Sequence, residues 1–351
     1  MRKNLLIGLG VVAVIVLGVV LYILMGGGAA SPTCDLKIGY VTDVGRIDDQ
    51  SFNQASWQGI QNAIKKLGLT EDCYSYIETK DTADYMTNIE TFAKDDYDII
   101  VTSGFLITDT TREAGDKYPN IKFIGTDQLQ LDTKPNVVGV LFWEDQAGYL
   151  AGALAGLMTK TNVIAGVYGT NTVPPVVRYR IGYELGAKAV NPDVEVLGAY
   201  HPGTPDVAFY DPTWGGETAQ TMMDQDADVV FGAGGDTGNG ALIAFCNAGL
   251  PVIGVDLDQY TTLPEVKACI MSSAVKDLIA AVEDQVLAAA GQSTWTPGNY
   301  YGQLYLAPFH EWEDKIPAEV KTQLTEIAAQ IKAGEIVTCP PGTEGAFCPD
   351  E

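Results

Sequence analysis

From residue 37 onward, short apolar runs of strand length alternate with segments of helical period, and that alternation admits few folds. It is the pattern of a parallel sheet whose strands are joined by crossover helices. Strands are expected at 37–43, 73–77, 99–102, 121–126 and 137–142, with helices at 51–67, around 88–94 and at 108–118. In the first helix Trp57, Ile60, Ile64 and Leu67 share one face, and Ser51 with Gln54 reads as a capping box. A second series follows a helix at 145–158, with strands at 163–168, 194–200, 229–232, 252–255 and 269–272. At roughly 150 residues per domain, a chain of 351 has room for two such units. The expected fold is therefore α/β, with two doubly wound parallel-sheet lobes and a cleft between them.

Ligands of such folds sit beyond the carboxyl ends of the strands. Here those ends read Thr42-Asp43, Gly104, Thr126-Asp127, Gly232 to Gly235 and Val255-Asp256. Three carboxylates at strand ends form a polar constellation suited to hydroxyl or amine donors. The glycine run GAGGDTG at 232–238 follows a strand and opens a helix, as a dinucleotide-binding loop would. Its G-x-G-x-x-x-G spacing is wrong for that role, and Asp236 would stand where a pyrophosphate has to approach. No cofactor is expected.

Charge and targeting narrow the setting. The part from Cys34 onward carries 19 basic against 45 acidic residues, a formal −26, which repels polyphosphates and argues against nucleic-acid binding. Residues 5–25 form an uncharged apolar run behind Arg2 and Lys3, long enough at about 1.5 Å per residue to span a bilayer core. With the basic flank inside, a single N-terminal transmembrane helix would hold the rest of the chain at the outer face of the cell membrane. Ser31-Pro32-Thr33 before Cys34 is a poor site for cleavage and lipidation. Six cysteines without CxxC spacing fit an oxidising compartment. Cys34 and Cys73 each precede one of two neighbouring strands, Cys246 ends a helix where Cys269 opens a strand, and Cys339 and Cys348 bracket a Pro/Gly-rich tail. Those positions suggest three bridges, with free thiols as the alternative. Two histidines, His201 and His310, with no metal spacing, no G-x-S-x-G elbow and no Walker loop leave little for an enzyme.

The stretch YVTDVGRIDDQSFNQASWQG at 40–59 resembles the basic membrane protein family, nucleoside-binding extracytoplasmic receptors of ABC importers, in its TD-x-G-x-x-DD-x-SFN signature. The resemblance continues through NVVGVLFWEDQAGYLAGALAG ending at Gly156, VPPVVRYRIGYELGAKAVNPDVEV at 173–196, VVFGAGGDTGNG at 229–240 and GVDLDQ at 254–259. The lipobox of the family's lipoproteins is absent around Cys34. The resemblance implies a type I periplasmic-binding-protein fold whose lobes, 35–143 plus 274–302 and 144–273 plus 303–335, are joined by three crossovers near 143–146, 272–276 and 301–303. Residues 1–33 would be the anchor and linker, and 336–351 the cysteine-containing tail.

It also implies a nucleoside site, with a purine favoured. Phe52 would stack on the base with Phe209 opposite it and Tyr210 as the rival; Asp43, Asn53 and Asp109 would read the base. Asp127, Asp256 and the lysine of SAVK, Lys276, would clamp the ribose, and Gly235 would bring a backbone N–H close to a sugar hydroxyl. Asp48, Asp49 and Ser51 have a second reading as caps of the first helix, and Arg178 and Arg180 are expected at the surface or behind the site. The partners implied are a nucleoside and an ABC permease, with the receptor a monomer. A receptor subunit feeding a signalling partner and a nucleoside hydrolase are the alternatives.

Overall fold

The computed structural model describes residues 34–343, Gly345 and Cys348. The expected membrane helix falls on residues outside these. Among the described residues no helix is long and apolar enough to cross a membrane.

The first series of strands is β1 (Ile38–Thr42), β2 (Tyr74–Ile77), β3 (Ile99–Ser103), β4 (Lys122–Thr126) and β5 (Val137–Leu141). The second is β6 (Val163–Tyr168), β7 (Glu195–Tyr200), β8 (Val230–Ala233), β9 (Val252–Asp256) and β10 (Ile270–Lys276), followed by β11 (Gly298–Tyr301) and β12 (Leu304–Leu306). They form two six-stranded sheets, in the orders β11-β5-β4-β3-β1-β2 and β12-β10-β9-β8-β6-β7. Every pair is parallel except β10 with β12. In the first sheet Ile38 stands opposite Tyr74 on one side and Ile99 on the other. β1, β3 and β5 are buried along their whole length, as expected of parallel strands covered on both faces.

The longer helices are α1 (Phe52–Leu67), α2 (Tyr85–Ala93), α3 (Thr108–Lys117), α4 (Glu144–Met158), α5 (Pro174–Val190), α6 (Pro212–Met223), α7 (Gly235–Asn247), α8 (Leu278–Ala289) and α9 (Ala318–Lys332). α1 buries Ala55, Ile60, Ala63 and Ile64 and ends at Gly68, whose left-handed backbone (φ 68°) returns its N–H to Ile64 and Lys65. Its start differs from the expected capping box. Asp49 accepts the N–H groups of Ser51, Asn53 and Gln54, while the Gln54 side chain accepts from Gln50. A carboxylate placed just ahead of the helix satisfies these orphan donors more strongly than a serine hydroxyl, and Ser51 is released for another bond. α4 is rich in Gly and Ala and buried almost throughout. A methyl group on Gly152 would lie 1.9 Å from the Tyr183 carbonyl, so α5 seats on α4 only because no side chain intervenes.

Three chain crossings lie side by side. The chain leaves the first sheet after β5, returns after β10, and leaves again between β11 and β12; Gly302 donates to Leu141 and Asp277 to Gln303. The second crossing is at Asp277, not at the boundary between residues 273 and 274 read from the sequence. β10 runs to Lys276 because β12 pairs with its last three residues as an antiparallel edge strand. β11 and β12, four and three residues long and only partly buried, carry too little periodicity to be read as strands. Disulfides join Cys34 to Cys73, Cys246 to Cys269 and Cys339 to Cys348. The tail returns to the second lobe, where Cys339 packs on Val177 and Thr338 donates to Asp145.

Candidate functional site

Because the strands of each sheet run the same way, their carboxyl ends gather along one edge, and the two edges face each other. Between them lies a cavity of about 710 Å³, a figure that includes the open space at its mouth. Asp43, Phe52, Asn53 and Asp127 line it from the first lobe; Phe209, Gly235, Asp256 and Lys276 line it from the second. Tyr210 lines it too, beside Phe209. The first lobe thus contributes Phe52 and Phe105 and the second Phe209, all half-buried. A methyl group on Gly169 would meet the Phe209 ring at 2.3 Å, so that ring rests directly on backbone.

Lys276 ends β10 and is 2% exposed, with its ammonium group 2.6 Å from Asp127, 3.4 Å from Glu144 and 3.9 Å from Asp256. A buried cation of this kind is held by the carboxylates around it. Burial works to lower its pKa, and Asp127, Glu144 and Asp256 together outweigh that and raise it. Burial pushes Asp127 up to about 7 against the pull of Lys276, and raises Asp256 against the same pull. Asp127 and Asp256 both take left-handed backbone, with φ of 59° and 62°, a strained conformation for aspartate that tends to mark functional positions. Among the described residues the second oxygen of Asp127, Oδ1, is buried without a partner. Asp127 itself lines the cavity.

Asp43 follows β1. Its carboxylate accepts the Val44 N–H at 2.6 Å and covers the backbone of Gly104, where a methyl group would lie 1.8 Å from Oδ2. Gly104 has φ of 106°, so the close approach and the backbone both require glycine. Burial raises Asp43 to about 8, leaving it mainly protonated at pH 7 and able to donate as well as accept. Asn53 is positioned by its neighbours: its side-chain oxygen accepts from Ser103 and Tyr40, and its amide donates to Asp49.

The family model for Bmp, described as an ABC transporter substrate-binding protein that is PnrA-like, matches residues 37–301. The chain belongs to this family. As a Bmp protein it is the substrate-binding component of an ABC transporter and not an enzyme. The CD4+ T-cell-stimulating antigen of Listeria monocytogenes is 33% identical over 324 residues, covering 86% of this chain and 87% of that protein. The ABC transporter nucleoside-binding protein BmpA of Lactococcus lactis is 33% identical over 242 residues, covering 66% and 67%. A solute-binding protein of an ABC transporter system from Aeropyrum pernix, 23% identical, superposes with a TM-score of 0.78 over 88% of this chain and 94% of that one, and shows the same fold.

Asp109 of this Bmp chain stands apart from the cavity. A turn of 3-10 helix over Phe105–Ile107 separates β3 from α3, carries Asp109 past the opening and leaves Phe105 on its wall. The Asp109 side chain is 98% exposed, 3.7 Å from Arg112, at the rim of a second, adjoining cavity of about 1080 Å³. The reading of Asp109 as a base-binding residue is therefore not supported by its position.

Two cluster members escaped the sequence. Glu144 opens α4, where an acid reads as a favourable charge at a helix start, yet it is 1% exposed and bridges Lys276 and Arg178. Tyr179, on α5, directs its hydroxyl at Asp256 (3.4 Å) and the Ala274 carbonyl (3.2 Å). Arg178 is held by Glu144 and the Phe142 carbonyl and lies over Trp143, while Arg180 pairs with Glu184. Neither arginine lines the cavity between the phenylalanines.

Proposed function

We propose that the chain captures a nucleoside, with a purine favoured, between its two lobes and delivers it to the permease of an ABC importer. The observation that carries this reading is the pairing of two phenylalanines from opposite lobes with a buried carboxylate–lysine cluster in one cavity. Phe52 and Phe209 would hold the two faces of a base, a contact available to any heterocycle. Asp43, with Asn53 beside it, would meet the polar edge of the base, where a protonated carboxyl matches an acceptor and donor in turn.

At the other end of the ligand the ribose hydroxyls would donate to Asp127 Oδ1 and to Asp256, whose negative charge strengthens such bonds roughly twofold over neutral ones. Lys276 holds the two carboxylates at one place and compensates their charge. The backbone at Gly235, which has φ of 56° and no side chain, would approach the sugar closely. The name of the Lactococcus lactis relative, a nucleoside-binding protein, supports the same ligand class. The apolar run at residues 5–25 would keep this monomeric receptor at the outer membrane surface beside its permease.

Ligand capture of this kind needs higher affinity for the closed than for the open arrangement of the lobes. A thermal-shift panel on the full chain in detergent, covering nucleosides, nucleobases, sugars and amino acids, tests the assignment. A purine nucleoside at 100 times its dissociation constant is expected to add about 2.7 kcal/mol of stability. Stabilisation by sugars or amino acids alone would contradict it.

A further inference from the structure

Beside the cavity, three side chains of the second lobe, Asn239, Gln259 and Thr262, bind directly to the backbone of the first. In the first lobe the segment before α1 turns through Gln50, whose φ is 58°. The carbonyl of Gln50 thereby accepts two hydrogen bonds from the second lobe, one from Gln259 Nε2 at 3.2 Å and one from the Thr262 hydroxyl at 3.0 Å. The carbonyl of Asp49 accepts a third, from Asn239 Nδ2 at 3.2 Å. Gln259 and Asn239 are themselves joined at 2.8 Å, and both are buried.

The same side chains reach the proposed ligand clamp. Gln259 Oε1 accepts the N–H of Val255 at 2.9 Å, one residue before Asp256 in β9. Ser51, next to Gln50, donates its hydroxyl across the cleft to Asp256 Oδ2 at 2.7 Å. A closed ring of bonds therefore runs from Asp256 to Ser51, along the backbone to Gln50, through Gln259 and back along β9. Asn239, Gln259 and Thr262 do not line the cavity.

We infer that Asn239, Gln259 and Thr262 form an interlobe latch that sets how long a solute is retained, acting as positioning residues that couple closure of the lobes to the placement of Asp256. The inference rests on capture of a solute between the lobes, and its latch residues touch no solute. Backbone carbonyls as acceptors make the latch indifferent to side-chain changes in the first lobe, so the donors of the second lobe carry it. Each donor loses its partner when the lobes part, and water takes its place, which leaves a modest net gain for each bond in the closed form.

The test uses the full chain in detergent, with guanosine as probe, and two variants, of which Thr262→Val keeps every intralobe side-chain bond. Thr262→Val removes one hydroxyl and preserves shape. Gln259→Glu keeps the acceptor for Val255 and loses the donor for Gln50 and, within the lobe, for Asn239. Thr261→Val is the control, since that neighbouring hydroxyl bonds only to Asp258 within its own lobe. Guanosine dissociation, followed by stopped flow, is expected to accelerate about two- to tenfold in Thr262→Val, with no change in Thr261→Val. Amide hydrogen exchange without guanosine is expected to quicken at residues 49–53 and 235–239 in Thr262→Val and in Gln259→Glu, and to stay parental in Thr261→Val. If Thr262→Val releases guanosine at the parental rate, the latch is refuted. If the parent binds no guanosine, the nucleoside assignment fails for that probe and the exchange arm decides the latch, which parental exchange in Thr262→Val would refute.

Discussion

Asp127 and Asp256 stand at matching places in the two lobes: each lies where a central parallel strand ends, each has left-handed backbone, and the ammonium group of Lys276 lies 2.6 Å from one and 3.9 Å from the other. The two carboxylates would repel across the cleft without that cation. Lys276 is shared by the two carboxylates, and Glu144, 3.4 Å from its ammonium group, is a third.

Replacing Lys276 by Met strands three buried carboxylates and is expected to cost about 3–5 kcal/mol of stability, read by urea denaturation. Asp127→Asn in that background should cost less than Asp127→Asn alone, since the lysine it serves is gone. Equal costs in both backgrounds would mean that the pair is not coupled.

Phe52→Ala removes one of the two rings and should weaken nucleoside binding by about 1–3 kcal/mol, roughly ten- to hundredfold, for adenosine, guanosine and uridine alike. A loss confined to one base would point to edge recognition at Phe52 in place of stacking. Asp109→Ala, by contrast, should leave affinity unchanged, because that side chain is solvated outside the cavity.

Buried acids shape the pH dependence of stability. Burial raises Asp49 to about 6, Asp127 to about 7 and Asp43 to about 8, each above its value in the unfolded chain. Between about pH 4 and pH 8 the folded state therefore binds more protons than the unfolded state, so stability falls as pH rises and levels off beyond pH 8. The melting temperature is expected to be higher at pH 5 than at pH 8, and Asp43→Asn should flatten the upper part of that slope. A melting temperature that climbs from pH 5 to pH 8 would show that these acids are ionised in the folded protein.

The Cys246–Cys269 bridge ties the end of α7 to the start of β10, the strand that carries Lys276. Its removal in a Cys246→Ser, Cys269→Ser variant should cost about 2–4 kcal/mol by chemical denaturation. Peptide mapping of the unreduced protein checks all three pairings.

The legible parts of this site are those that a single strand end announces. Asp43, Asp127 and Asp256 could be placed at one edge of the sheets because an acid directly after an apolar run has nowhere to go but the carboxyl end of a strand. Glu144 and Tyr179 were not legible, since each sits in a helix and the cavity residue it meets, Lys276 or Asp256, is more than 70 residues away. Ser51 shows how tertiary structure overrides a local signal: the capping box was chemically sound, but Asp49 caps the helix and Ser51 bonds to Asp256 across the cleft. The boundary near 273–274 moved to Asp277 because it depended on β12, a three-residue edge strand with no pattern of its own.

The most direct test of nucleoside capture is isothermal titration of the full chain in detergent with guanosine, guanine, ribose and guanosine 5′-monophosphate under one set of conditions. Two-ended recognition, with stacking at the base and carboxylates at the sugar, predicts that guanosine binds at least about tenfold more tightly than guanine or ribose. The acidic cavity, lined by no arginine, predicts weaker binding of the monophosphate as well. Ribose or guanine binding as tightly as guanosine, or the monophosphate binding equally well, would contradict this account of the site.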